Sequence, residues 1–349
     1  MRKNKQVFII AEAGSNWRLG TAKRDLLMAK KLIDIAKEAD ADAIKFQTYK
    51  PESVYVPNAG KSDYLSEAGI DESITEIFED LSMPYEMIPK LSKYCISKEI
   101  EFMSTPFSID DAKAIDPYTN IHKLASYEIT HIRLLEFLAK TGKPLIISTG
   151  AATIEEIEWA KEIFFKNKGT ELILMQTTAK YPAPFDSLNL KTIPNMIKKF
   201  NLNVGLSDHS REPLVAPITA VSLGAKFIEK HFTIDNRLPG PDHSFAITPD
   251  ELKIMVNGIR NCEKSLGDGI KKIHHVEEEL REYAQRGIQA IKNIKKNENF
   301  VEDKNIAILR SGKQKRGIHP KYLSKIEGKK SNRDIFIGDG IQNEDIVKN

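Results

Sequence analysis

The sequence predicts an α/β protein, a (β/α)8 barrel followed by a small β-rich domain, and three observations predict it. Eight short β-branched runs recur between Val7 and His231. Most of the intervals between them carry apolar residues at helical spacing, so strand and helix alternate. Beyond about residue 280 that rhythm gives way to very short apolar runs broken by turns. Eight β-then-α units across roughly 250 residues is the span of a closed parallel barrel.

The strands in order are "VFIIAE", "AIKFQT", "EFMST", "HKLAS", "PLIIST", "LILMQT", "NVGLSDH" and "KFIEKH". Most of them carry apolar residues on both faces near their starts, as strands between a barrel interior and a shell of helices should. "RDLLMAKKLIDIAKEA", "PYEMIPKLSKYCISK" and "TIEEIEWAKEIFFKN" are the clearest amphipathic helices between them. A longer polar insertion follows the second strand over about residues 50 to 80, with "NAGKSDYLSEAG", and is expected to form a lid or rim at the barrel mouth. After the eighth strand, "LPGPDHSFAI" reads as a loop. Thr248 caps the next helix, Pro249 suits its first position and Glu251 completes a capping box. The barrel is therefore assigned to residues 1–270, a charged helical linker containing "HHVEEELREYAQR" to 271–284, and the small β domain to 285–349. Within that tail, "IKKNENFVEDKNI" and "IFIGDGIQNEDI" echo each other, a weak internal duplication.

Composition narrows the function. Lysine and arginine number 52 against 49 acids in 349 residues, a near balance that gives no reason to expect nucleic acid and suits small anionic metabolites better. The two cysteines, Cys95 and Cys262, form neither a disulfide framework nor a CxxC pair, so a reducing cytoplasm is expected. The N-terminal apolar run is about five residues, too short for a signal peptide or a membrane span, and no membrane partner is expected.

The ends of the strands differ from their beginnings. Glu12, Lys45, Gln47, Thr105, Lys123, Ser126, Ser148, Thr178, Ser207, Asp208, His209, Glu229 and His231 fall at or just beyond C-terminal strand ends, the face where such barrels place their sites. His209 and His231 end the seventh and eighth strands, so their imidazoles can converge although 22 positions separate them. Two neutral nitrogens leave most positions of a Mn²⁺- or Mg²⁺-type ion to water and a substrate oxygen, as Lewis-acid catalysis requires. The alternative is that each histidine only hydrogen-bonds within the barrel. Lys45, Thr105, Lys123, Ser126, Ser148 and Ser207 offer two cations and four hydroxyls, the donors a phosphate and a carboxylate need. Any single serine or threonine could merely close a turn. Two lysines directed into a barrel are harder to dismiss, because an uncompensated buried ammonium is costly.

In order along the chain, "IIAEAGSN", "KFQTY", "STPF", "KLASYE", "STG", "YPAP", "GLSDHS", "IEKHFTID" and "PGPDHSFAI" resemble the successive motifs of the sialic acid synthase family, the nonulosonate synthases. The resemblance covers essentially the whole chain, and the tail, with "ILRSG" and "GKKSNRDIFIGDGI", is similar to that family's antifreeze-like (SAF, β-clip) domain. It implies condensation of phosphoenolpyruvate with an N-acetylmannosamine-type sugar to a nine-carbon 2-keto acid, with phosphate released by C–O cleavage and a divalent metal, Mn²⁺, Mg²⁺ or Co²⁺, on His209 and His231. Lys45, Thr105, Lys123, Ser126, Ser148 and Ser207 are thereby assigned to phosphoenolpyruvate. Gln47, Tyr181 and Asp242 fall to the acceptor sugar. Glu12 and Asp242 become candidates for proton handling, with Glu229 as a supporting acid; Glu12 could instead pair with Lys45 or Lys123. The resemblance further implies a domain-swapped homodimer in which Arg310 enters the partner's barrel to hold the acceptor; the bottom-up alternative is one more solvated charge.

Two departures bear on specificity. The family commonly has Asn-His where this chain has Asn16-Trp17, and a polar residue where it has Ala179. "PGPDHSFAI" is more similar to the sialate and legionaminate branches than to the pseudaminate one. Two other functions compete: a pyruvate aldolase using Lys45 or Lys123 as a Schiff-base nucleophile, and a non-catalytic carbohydrate- or ice-binding protein acting through its tail.

Overall fold

A computed structural model describes residues 6–56, 58–61 and 73–347. Its contacts divide the chain into two compact units, Met1–Gly267 and Asp268–Asn349. The first is built on eight parallel strands: β1 (Phe8–Gly14), β2 (Ala43–Thr48), β3 (Glu101–Pro106), β4 (His122–Leu124), β5 (Leu145–Ser148), β6 (Leu172–Thr177), β7 (Asn203–Asp208) and β8 (Phe227–His231). Their order is β3-β2-β1-β8-β7-β6-β5-β4, and the end strands β3 and β4 lie against each other, closing the barrel. Just before β4, Thr119 Oγ1 donates to Phe102 O at 3.2 Å and Ile121 O at 2.8 Å, tying the two sides of that seam.

Helices alternate with the strands where the periodicity placed them, among them Ala22–Glu38, Met87–Lys98, Ile154–Lys166 and Pro249–Leu266. Thr153–Glu156 and Thr248–Glu251 both form reciprocal capping boxes, so the helices after β5 and β8 start where their side chains satisfy the first free N–H groups. At the opposite end of the barrel, Arg260 joins the last helix to the first two strands. Its guanidinium donates to Val7 O and to Asp42 Oδ2, both at 2.7 Å.

The strands bury two apolar layers. One fills the space between barrel and helices, and Trp17 is packed into it. The other is the barrel interior, made by Ile10, Ala43, Met103, Ile121, Ile146, Ile173 and Met175 with Phe8 and Phe227. Because side chains alternate along a strand, the interior residue two positions further on is fixed by this layer. Ile10 is followed by Glu12, Ala43 by Lys45, Met103 by Thr105, Ile121 by Lys123, Ile146 by Ser148 and Phe227 by Glu229. The interior thus changes from hydrocarbon to charge and hydroxyl within one step toward the C-terminal strand ends.

Of the expected lid, residues 57 and 62–72 lie outside the described residues. The described parts, helices Pro51–Val54 and Ile74–Leu81, pack a small apolar cluster of Tyr49, Ile77 and Leu81 with Val54, Phe78 and Phe107 onto the ends of β2 and β3.

In the second unit, β9 (Arg286–Ala290) pairs antiparallel with β10 (Ile306–Arg310) around a core of Ile288, Ile294, Phe300, Ile306, Ile326, Ile335 and Ile341. The stretch 271–284 groups with this unit and contains the helix Glu278–Ala284. The duplicated segments meet at corresponding positions. Ile294 N donates to Ile335 O at 2.8 Å and Ile335 N to Ile294 O at 2.9 Å, the reciprocal pairing a two-fold repeat would make. Among the described residues, no helix is long and apolar enough to cross a membrane.

Candidate active site

At the first polar level of the barrel, four buried charges converge. Lys45 Nζ stands 2.7 Å from Glu12 Oε2 and donates to Thr105 Oγ1 at 2.9 Å. Lys123 Nζ donates to Ser148 Oγ at 2.7 Å. Glu229 Oε1 lies between the two ammoniums, 3.7 Å from Lys45 and 3.6 Å from Lys123, and accepts from Ser207 Oγ at 3.0 Å. The structural alternative for Glu12, pairing with Lys45, is therefore realised. Register explains the convergence: Glu12 is the sheet partner of both Lys45 and His231, and Ser207 of Glu229.

Burial sets the electrostatics. Withdrawal from water raises the Glu12 carboxyl to about 7, opposed by Lys45 and reinforced by Glu229. Lys123 is lowered to about 8, again chiefly by burial, with Glu229 resisting. For Glu229 burial acts upward, but Lys123 and Lys45 together hold it below its ordinary value. Its second oxygen, Oε2, is buried without a hydrogen-bond partner. Two lysines and two acids thus pair with each other at this level of the barrel.

His209 and His231 stand at the next level outward, ring centroids 5.7 Å apart and nearly perpendicular. Burial pushes His209 down to about 4 and His231 well below its ordinary value, so both are neutral. His209 Nδ1 lies 2.8 Å from Thr178 O; a carbonyl only accepts, so Nδ1 carries the proton and the Nε2 lone pair is left for a ligand. His231 Nδ1 is buried with no hydrogen-bond partner, and Asp242 Oδ2 is 3.7 Å away. Neutral imidazoles with an unspent nitrogen fit a divalent ion. Among the described residues, no cluster of three or more His, Cys, Asp or Glu is placed to hold a metal. The two imidazoles would therefore be the protein's main contribution, with water and substrate oxygen completing the shell.

The loop after β8 folds back to deliver Asp242. Thr233 N bonds Ile247 O, Ile247 N bonds His231 O and Ala246 N bonds Asp242 O, so the loop's two ends are zipped together. His243 is buried with Nδ1 2.6 Å from Thr233 Oγ1 and holds this loop shut. Asp242 is raised to about 6 by burial, against a hydrogen bond from the Ser15 backbone. Gly14 is what admits it: with φ of +51°, a Cβ there would stand 2.8 Å from Asp242 Oδ2. Gln47 Nε2 donates to Glu12 Oε1 at 3.1 Å, completing this side.

Tyr181 stacks on His209 at 4.0 Å, and Phe245 packs at 5.0 Å from Tyr181 and 5.3 Å from His231, forming an aromatic wall. Ser126 Oγ accepts from Gly150 N at 3.0 Å, and Ala179 faces the same turn: a Cβ at Gly150 would lie 3.1 Å from that of Ala179. Arg310 belongs to the second unit, where it is an exposed end of β10. Sequence reasoning named Thr178 and Asp208 only as polar strand ends; it missed Phe245, the orienting role of the Thr178 carbonyl and the buried outward pairing of Asp208 with Lys230. Period-two alternation could have found the last, since Lys230 lies between two inward residues and must face outward.

The NeuB family model matches residues 32–271. The chain belongs to the NeuB family. It is 38% identical to a pseudaminic acid synthase of Campylobacter jejuni, over 98% of this chain and 97% of that protein. It is 37% identical to an N,N'-diacetyllegionaminic acid synthase of the same species, over 95% and 99%. The crystal structure of the spore coat polysaccharide biosynthesis protein SpsE of Bacillus subtilis superposes with a TM-score of 0.65 at 40% identity, covering 99% of this chain and 97% of that one. Several of the relatives are named as pseudaminic, legionaminic or N-acetylneuraminate-9-phosphate synthases, and this chain is a transferase of that type.

Proposed function

We propose that this NeuB-family enzyme joins phosphoenolpyruvate to the open-chain form of an N-acetylmannosamine-type amino sugar, giving a nonulosonic acid and phosphate. The observation that carries the reading is the pair of buried ammoniums, Lys45 and Lys123, held by carboxylates at the floor of a site whose outer level is His209, His231 and Asp242. Phosphoenolpyruvate presents a phosphate and a carboxylate; Lys45 with Thr105 and Lys123 with Ser148 match two such anions, and Ser126 and Ser207 add donors. On binding, Glu229 and Glu12 give up the lysines to the substrate.

Carbon 3 of phosphoenolpyruvate forms a bond to the sugar's aldehyde carbon, and positive charge develops at carbon 2. Water adds there and loses a proton, and the C–O bond to phosphate breaks to leave the 2-keto acid. Glu12, near neutrality in its titration, and Asp242 hold or move the proton at the sugar oxygen. A divalent ion on His209 and His231, Mn²⁺ by preference, would supply Lewis acidity at the sugar carbonyl. Gln47 and the Tyr181–Phe245 wall receive the sugar.

In the same reading the enzyme works in the cytoplasm as a homodimer, each SAF-like tail covering its partner's mouth with Arg310 reaching the acceptor. Supporting this, exposed apolar side chains follow five strands at the mouth: Tyr55 after β2, Tyr127 after β4, Ile154 after β5, Phe185 after β6 and Val215 after β7. Such a collar calls for a cover.

The test is phosphate release from phosphoenolpyruvate and Mn²⁺ with N-acetylmannosamine, its 6-deoxy-2,4-diacetamido relative and the altrose analogue in turn. Release that depends on one of these sugars supports the reading, N-acetylmannosamine or its 6-deoxy-2,4-diacetamido relative being the expected acceptor. Absence of release with all three overturns it.

A further inference from the structure

Of the three lysines on strands β1–β8, Lys45, Lys123 and Lys230, the last is the one that the proposed chemistry does not use. It is 1% exposed, yet its neighbours Glu229 and His231 point into the barrel and it points out. Its ammonium meets Asp208 Oδ2 at 2.6 Å, Glu212 O at 3.0 Å and Ser210 Oγ at 3.2 Å, and also donates to Ser210 O. Asp208 in turn accepts from Ser210 N at 2.8 Å and Ser210 Oγ at 3.1 Å. The segment 208–212 is thus wrapped around one buried cation.

What is wrapped carries His209. β7 ends at Asp208 and the next helix begins at Val215, so the turn between has no ladder to satisfy its carbonyls. Lys230 supplies the missing donors for two of them. Lys230 adjoins His231 on β8 and Asp208 adjoins His209, so the outward ion pair joins the two strands directly behind the two inward imidazoles. His209 is fixed from the other side by Thr178 O on Nδ1 and by Ala183 N, which donates to its carbonyl at 2.9 Å.

We propose that Lys230 is a positioning residue: through Asp208, Ser210 and Glu212 it sets the placement of His209 opposite His231. The effect on metal binding rests on the reading of that pair as a metal site, whereas the effect on His209 itself does not.

Two variants test it. Lys230→Met keeps the stem volume and removes the ammonium. Asp208→Asn/Lys230→Met removes both charges, so that no uncompensated carboxylate stays buried. The first readout is NMR of the metal-free protein: the ring proton on His209 Nδ1, bonded to Thr178 O, is expected to exchange slowly in the wild type and to be lost to exchange in both variants. The second is Mn²⁺ affinity, followed by the EPR signal of free Mn²⁺, expected to fall about 10- to 100-fold, as for loss of an outer-shell partner. Phosphoenolpyruvate binding to the metal-free protein, measured by calorimetry, is expected to stay within about threefold, because Lys45 and Lys123 lie on the inner face. A purely structural Lys230 would lower the unfolding midpoint and leave both the ring proton and the Mn²⁺ affinity unchanged, which overturns the proposal. It is equally overturned if neither variant folds. Should His209→Ala and His231→Ala bind Mn²⁺ as the wild type does, the metal reading falls, and the ring proton alone decides the role of Lys230.

Discussion

Lys45 and Glu12 form an ion pair of 2.7 Å in which both side chains are almost wholly withdrawn from water. Such a pair gains little net stability over a hydrocarbon pair of the same shape, because desolvation offsets most of the attraction. Its location at the floor of a polar barrel mouth suits the use proposed above, in which the carboxylate holds the ammonium in place for a substrate anion.

Replacing either lysine therefore separates binding from folding. Lys45→Met and Lys123→Met are each expected to raise the KM for phosphoenolpyruvate by about 10- to 100-fold, the worth of a charge-assisted contact. Steady-state kinetics with both substrates varied will check this. Unchanged KM values would return the lysines to a structural role.

His209→Ala and His231→Ala are expected to lower turnover by about 100-fold or more while leaving the circular dichroism of the barrel unchanged. Treatment with a chelator should abolish activity and added Mn²⁺ restore it. Full activity in metal-depleted protein would remove the ion from the account.

Gly14→Ala tests the approach of Asp242. The new methyl meets the carboxylate at 2.8 Å on a backbone of φ +51°, so either the loop or the strand end must shift. We expect a folded protein that loses roughly 1 kcal/mol or more of stability and most of its sugar turnover. Wild-type KM for the sugar would mean that Asp242 does not contact it.

The fold was largely legible because each strand is an apolar run ending in a polar residue. "AIKFQT" and "LILMQT" coincide with β2 and β6. The polar strand ends announced the site as well, since hydrocarbon at one level of the barrel and charge two residues later is a period-two signal in the sequence itself. Which ends touch was not legible. That Glu229 sits between Lys45 and Lys123, or that Asp242 returns to His231, depends on register across β8-β1-β2 and on a loop closed by His243 and Thr233. Trp17, a departure from the family pattern, proves to be packed in the outer apolar layer, so its ring serves the core. The lysine pattern alone did not distinguish Lys230, which points out of the barrel to Asp208, from Lys45, which points in and is proposed to bind substrate; the strand face does.

A buried neutral histidine makes stability depend on pH, and His243 offers a clean case. Burial lowers it to about 4 from an ordinary 6.5. In the unfolded chain it takes up a proton as pH falls through 6.5, while the folded chain resists until near 4. Its contribution is thus fully present above 6.5 and is lost as pH falls toward 4. Glu12 and Asp242, raised to about 7 and about 6, act with the opposite sign over the same range. The measurement is therefore a difference: urea unfolding of wild type and His243→Asn at pH 7 and pH 5. The wild-type advantage should shrink at pH 5; an advantage that grows would show a charged His243 in the fold.

The central claim is carbon–carbon bond formation with cleavage of the C–O bond of phosphoenolpyruvate. It is tested by supplying phosphoenolpyruvate labelled with ¹⁸O in the bridging position, together with Mn²⁺ and the amino sugar, and weighing both products. The account predicts that the label leaves with phosphate, in equal amount to a keto acid whose mass is that of the sugar plus pyruvic acid. Label retained in the organic product, or phosphate released without any sugar consumed, would contradict it.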